Sequence, residues 1–139
     1  MNPTIHPFDI AVYEEVLALW KRCEGVGLSD ADSKVGIKAY LERNPDMSFV
    51  AMAGEKIIGA ILGGHDGRRG YIHHLAVDVG WRRQGIARQM VQNCLRALKV
   101  SGIYKAHIFI FTDNESGIAF WKSVGWTYRT DLRVISKTI

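Results

Sequence analysis

The sequence predicts an α/β chain with a mixed, mostly antiparallel, twisted sheet of six to seven strands flanked by about four helices. Three observations carry that expectation. Stretches with a helical period of about 3.6 alternate with strand-like runs along the whole chain. Two of these runs, 48–53 and 56–63, are joined by Gly54-Glu55, a hairpin signal. The run at 71–78 leads into an amphipathic helix and then a further run at 106–112, which is the order of a right-handed βαβ crossover.

Taken in order, a short strand lies around Thr4 to Pro7. Helical spacing over 10–23 follows, with Asp9 as N-cap and Val12, Val16, Leu17, Leu19 and Trp20 as the apolar stripe. Gly25 and Gly27 break it. A shorter helix falls within 32–43 and ends before Asn44-Pro45. The hairpin comes next, then a glycine-rich turn at 64–70 and the strand at 71–78. From Gly85 to Ser101 the apolar positions Ile86, Ala87, Met90, Val91, Cys94, Leu95 and Leu98 make one helical stripe, closed by Gly102 as C′ glycine. A strand at 106–112, a helix at 115–123 and two last strands at 126–130 and 133–137 complete the order β-α-α-β-β-β-α-β-α-β-β.

At 139 residues the chain is expected to be one domain, 1–139. Its 47% hydrophobic and 23% charged residues are those of a globular protein, and no apolar run approaches the ~18 residues of a membrane span. Without the features of a signal peptide, and with only two widely spaced cysteines (Cys23 and Cys94), the expected location is cytoplasmic, with both thiols free. A net charge of +4 invites an anionic ligand, either a phosphate-bearing cofactor or nucleic acid.

The position of that charge is informative. Arg82, Arg83 and Arg88 crowd a point where a strand turns into a helix, and cations at a helix N-terminus oppose its dipole. The arrangement reads either as a solvated surface or as a site whose partner is a phosphate on the helix N–H groups. Gly85 lets a bulky ligand approach the backbone and Ala87 does not block it. The glycine patterns of dinucleotide folds and Walker NTPases are both absent.

Arg82-Arg83-Gln84-Gly85-Ile86-Ala87 resembles the Q/R-x-x-G-x-G/A signature of the GNAT superfamily of acyl-CoA N-acetyltransferases, and it follows an L-A-V-D strand end, Leu75 to Asp78, typical of that family. Asn114 to Trp126 is similar to its second signature, N-x-x-A-x-x-F-Y-x-x-x-G-F, and the element order matches along essentially the whole chain. The resemblance implies a GNAT fold and acetyl-CoA as cosubstrate, with no metal. The N–H groups of Gln84, Gly85, Ile86, Ala87 and Arg88 would cradle the pyrophosphate, with Arg82, Arg83 and Arg88 near the phosphates. A β-bulge at Leu75-Ala76-Val77 would let the pantetheine arm pair with the strand, Asn114 would reach it from the other side, and Phe120 and Trp121 belong to the same cofactor set. The Leu75 N–H, or its neighbour, would polarise the thioester carbonyl.

Acetyl transfer to an amine needs a base near neutrality and an acid for the leaving thiolate. Of His73 and His74 only one can face the cleft, because strand side chains alternate. Some family members use a histidine two residues before the bulge leucine, which here is His73, with Tyr71 on its face. The other reading of the pair is a half-buried structural feature. A metal site from His65, Asp66, His73 and His74 matches no ligand spacing. The family's alternative base, a glutamate on the next strand, falls at Phe109, so that route is closed. Trp121 stands where the family carries its tyrosine acid, and an indole N–H has no useful acidity. Water or Tyr128 takes the role, or the thiolate leaves unassisted.

Substrate candidates are Asp66, in a turn resembling a G-G-x-D-G-x-R-G stretch of small bacterial GNAT proteins, Glu24 and Asp30 beside the usual lid region of the family, and His74. Asp66 reads equally as a solvated hairpin tip. The expected function is acetyl transfer to a primary amine of a small molecule or a protein or peptide N-terminus. A CoA-binding sensor module that has lost catalysis is the alternative, and Trp121 supports it. No aromatic-basic recognition stretch accompanies the arginines, so nucleic acid is not an expected partner; no membrane partner is expected either, and a homodimer is possible.

Overall fold

The computed structural model describes residues 2–139. The chain divides into two units, one running to Phe109 and one covering Ile110–Ile139.

The first unit holds a five-stranded sheet in the order β1 (Thr4–Pro7), β2 (Phe49–Ala53), β3 (Lys56–His65), β4 (Gly70–Val77) and β5 (Ala106–Ile108). Every pairing is antiparallel except β4 with β5, which are parallel and joined through α3 (Ile86–Val100). Local rules account for most of the elements. Asp9 accepts a hydrogen bond from the Ala11 N–H at 2.8 Å and starts a 3-10 turn, Ile10–Val12, that runs into α1 (Tyr13–Arg22). Ser33 caps α2 (Lys34–Arg43) through the Gly36 N–H, so this helix begins just after the predicted start. Gly54, at φ 62°, turns the β2–β3 hairpin, and Gly102, at φ 83°, follows the last turn of α3.

The sheet buries both faces. Phe8, Tyr13, Val16, Leu19, Trp20 and Ile37 pack with Val50, Ala60, Leu62 and Ala76 in one cluster under α1 and α2. Met90, Val91, Cys94 and Leu98 supply the buried stripe of α3, and Ile58, Ile61 and Ile72 are likewise fully buried strand residues. Both cysteines are buried free thiols. No helix among the described residues is long and apolar enough to cross a membrane.

The sheet has five strands where six to seven were predicted. β5 stops at Ile108 rather than continuing to Thr112, because its partner β4 leaves regular extension two residues past the last paired position, Ile72↔Ile108. In the second unit α4 (Glu115–Ser123) forms as predicted, but residues 126–130 and 133–137 form no ladder among the described residues. A strand-like sequence becomes a strand only against a hydrogen-bonding neighbour. Without one, Val134 and Ile135 remain exposed, and Arg129 closes a local bidentate pair with Asp131 instead.

Candidate functional site

The site begins with a flaw in β4. Leu62 pairs with His73 and Ala60 with Ala76, so His74 and Leu75 together face Ile61. This is a β-bulge, and it sits one residue earlier than the sequence suggested. His74 has φ 52°, a left-handed conformation that costs a non-glycine residue about 1 kcal/mol and persists only when its surroundings impose it. Three contacts do so. The Trp20 indole Nε1–H donates to the His74 carbonyl at 3.0 Å, the Trp20 ring meets the imidazole edge-on at 5.0 Å, and His74 Nε2 lies 2.9 Å from Asp32 Oδ1.

Asp32 is held in turn. Its other carboxylate oxygen accepts the Ser29 N–H at 3.0 Å in a capping box, and its carbonyl accepts the Tyr13 hydroxyl. The α1–α2 connection is thereby fastened to the bulge. Sequence reasoning missed Asp32 and took Trp20 only as an apolar helix position. The S-x-x-D spacing of Ser29 and Asp32 was the available signal.

The two histidines therefore part company. His74 is tied to Asp32, while His73 enters an aromatic group. Its ring is 6.5 Å from Tyr71, 6.1 Å from Phe109 and 6.2 Å from Tyr40, and no carboxylate is hydrogen-bonded to it among the described residues. Burial pushes the His73 pKa down and neighbouring His74 lowers it further, with Asp32 acting weakly the other way. The imidazole is thus neutral at pH 7, the state that accepts a proton. Burial also raises the Tyr40 phenol, which stays protonated throughout the physiological range.

Past β4, Asp78 and the 3-10 turn Val79–Trp81 lead to the arginines. Arg83 (φ 63°) and Gly85 (φ 82°) are left-handed, whereas Gln84 and Ile86 are not. Alternation of this kind makes a concave, anion-binding backbone. Gly85 is the N-cap of α3 and no side chain caps the helix start, so its orphan N–H donors have no side-chain acceptor. A Cβ at Gly85 would meet no protein atom within 4 Å and would project into open space. Arg83, Gln84 and Arg88 are exposed beside the turn, Ala87 is half-buried and Ile86 anchors the helix in the core. Arg82 is used differently. Its Nε–H donates to the Val77 carbonyl at 2.8 Å and its guanidinium pairs with Glu24 at 2.8 Å, bracing the turn and holding the Glu24 carboxyl below its ordinary pKa.

Asp66 caps its own hairpin tip. Its Oδ1 accepts the Arg68 and Arg69 N–H groups at 2.8 and 2.9 Å, which also lowers its pKa. Asp30 starts a short 3-10 turn beside Asp32. No group of three or more His, Cys, Asp or Glu side chains among the described residues is arranged to hold a metal ion. In the second unit Asn114 Oδ1 accepts the Gly117 N–H at 3.0 Å as the cap of α4, Trp121 packs edge-on against Phe120 and Trp126, and the Tyr128 ring lies 5.3 Å from Lys122 Nζ.

The profile of the acetyltransferase (GNAT) family matches residues 13–126. This chain belongs to that family. An acetyltransferase from Photorhabdus laumondii subsp. laumondii is 31% identical over 123 residues, covering 88% of this chain and 85% of its own. Among solved structures, Ard1 from Thermoplasma volcanium superposes with a TM-score of 0.79 at 20% identity, covering 91% of this chain and 84% of that one. AAC(6')-Iy in complex with the bisubstrate analogue CoA-S-monomethyl-acetylneamine gives 0.78 at 18% identity and covers both chains completely. The GNAT fold of this chain is thus the one on which a CoA-derived ligand has been seen.

Proposed function

We propose that this GNAT chain uses acetyl-CoA to acetylate a primary amine directly, with His73 as the base. The observation that carries the reading is a neutral, half-buried imidazole one residue before the β4 bulge, on the strand that runs into an uncapped helix start with alternating φ. Acetyl-CoA would supply the activated acetyl thioester. The concave turn suits its pyrophosphate: Gln84, Gly85, Ile86, Ala87 and Arg88 offer backbone N–H donors, and Arg83 and Arg88 offer charge. Leu75, Ala76 and Val77, at and beyond the bulge, would face the pantetheine arm, and the Leu75 N–H would polarise the carbonyl.

In the reaction the amine lone pair forms the new C–N bond, the C–S bond breaks, and the sulfur keeps the electron pair. His73 takes the proton that the amine loses. In this reading water returns a proton to the thiolate, because Trp121 has an indole where the family signature has a phenol. The same Trp121 favours a second reading, a CoA-binding module without turnover.

Gly85→Glu tests the first step. The Cβ it adds meets no protein atom within 4 Å, so the expected cost to the fold is about 1 kcal/mol for the left-handed φ. The carboxylate would project into the pyrophosphate cradle, and calorimetry is expected to show acetyl-CoA binding abolished. Thiol release with any amine, lost in this variant, supports the enzyme; tight acetyl-CoA binding with no turnover on a broad amine panel supports the module.

A further inference from the structure

We infer that the outer side of α3 is a docking surface for an acidic protein segment, which lays an apolar side chain in a groove beside the helix. The groove holds about 610 Å³ and lies between the carboxyl half of α3 and the loop that follows α2. Pro45, Met47, Phe49, Ala97 and Val100 supply its apolar lining and Arg96 its guanidinium. None of these residues belongs to the cofactor turn or to β4, where His73 stands. The loop wall is fixed in advance. The Cys94 thiol donates to the Met47 carbonyl at 3.2 Å, Ser48 Oγ accepts the Gly63 N–H at 3.0 Å, and Asn44 Oδ1 accepts the His65 N–H at 3.0 Å. The loop is thereby tied to α3 and β3, and a groove with fixed walls binds with little ordering cost.

Charge names the occupant. Residues 79–112 hold six arginines and lysines and no aspartate or glutamate, an excess larger than the net +4 of the whole chain. Arg82, Arg83 and Arg88 belong to the α3 start. Arg96, Lys99 and Lys105 lie toward the opposite end, with Arg88 and Lys99 roughly 16 Å apart along the helix. The Gly70 N–H donates to the Lys105 carbonyl at 2.9 Å, which brings the base of the Arg68-Arg69 hairpin to the same end. These five cations are exposed, and none forms an ion pair among the described residues. Arg96 Nη1 instead leans on Asn93 Oδ1, at 3.5 Å, beside the groove. A surface of this sign collects carboxylates, and the groove takes an apolar anchor between them. Asp46, exposed in the same groove, decides between polyanions. It repels a phosphate backbone, whereas a peptide offers it N–H donors.

Fluorescence anisotropy tests this with a labelled hexapeptide in which four glutamates flank a Leu-Phe pair. Saturable binding is expected, weakened about tenfold when two serines replace that pair. Arg96→Gln should weaken it about threefold, and Val100→Glu, which sets a carboxylate at the groove from an exposed position, about tenfold. Lys38→Gln removes an equal charge from α2 and leaves binding unchanged. Excess acetyl-CoA leaves it unchanged too, because the proposed cofactor turn stands at the other end of α3. Displacement of the peptide by acetyl-CoA would place it on the cofactor arginines and overturn the inference. So would the absence of saturable binding, indifference to the Leu-Phe pair, or an equal response to Arg96→Gln and Lys38→Gln. Tighter binding of a single-stranded oligothymidylate of equal length also overturns it, in favour of a nucleic-acid surface.

Discussion

In the proposed reaction, His73 is the group most exposed to electrostatic control. Its pKa lies below the ordinary 6.5, so its basic form is present above that lowered value and is lost as pH falls through it. The acid limb of kcat/KM is expected at a midpoint below 6.5 and to vanish in His73→Ala, with activity down by about 10²-fold or more. Asp32 raises the His73 pKa and His74 lowers it. Asp32→Asn should therefore move the limb to lower pH, and His74→Gln to higher pH. A pH–rate series on the three variants checks the signs. Movement of the limb in the same direction by both neighbours would remove His73 as the titrating group.

At the level of elements, the bulge in β4 is the feature on which the site turns, and α1 holds it. Trp20 is 1% exposed and its indole N–H satisfies the His74 carbonyl, so the helix carries both packing and the hydrogen bond that fixes the left-handed residue. Trp20→Phe keeps much of the packing but orphans that carbonyl. It should lower the unfolding free energy by about 2 kcal/mol, read as a smaller urea midpoint with unchanged slope. The sequence announced the elements around this point well. The cap at Asp9, the turn at Gly54 and the α3 stripe rest on local rules that act over a few residues. The Asp32–His74 tie spans 42 residues and was not legible, since nothing in either neighbourhood marks the other. Arg82 and Glu24, 58 residues apart, were each singled out as ligand contacts, and only the fold shows them paired. The strands expected at 126–130 and 133–137 failed for the converse reason: their alternation is genuine, but a strand also requires an edge to join.

For the molecule as a whole, the net charge of +4 acquires a direction from how its ion pairs are distributed. Arg22 pairs with Asp78, Lys34 with Glu14, Lys38 with Glu42 and Arg82 with Glu24, so these cations are offset within the fold. Arg83 and Arg88 flank the uncapped α3 start on its exposed side, where the helix dipole adds to their charge instead of balancing it. Without an anion this arrangement is self-repelling. With a pyrophosphate on the N–H groups it becomes complementary. Acetyl-CoA affinity should therefore weaken steadily between low and physiological salt, over which the Debye length falls from about 30 Å to about 8 Å. Arg83→Gln is expected to weaken binding several-fold at low salt and to flatten that dependence, and Arg88→Gln to do the same. Lys38→Gln removes an equal charge from a remote, already paired position and should leave both affinity and slope unchanged. Titration calorimetry at three ionic strengths separates the possibilities. A uniform response of all three variants would mean that overall charge attracts the cofactor; a response confined to the two arginines would mean that the turn after β4 does.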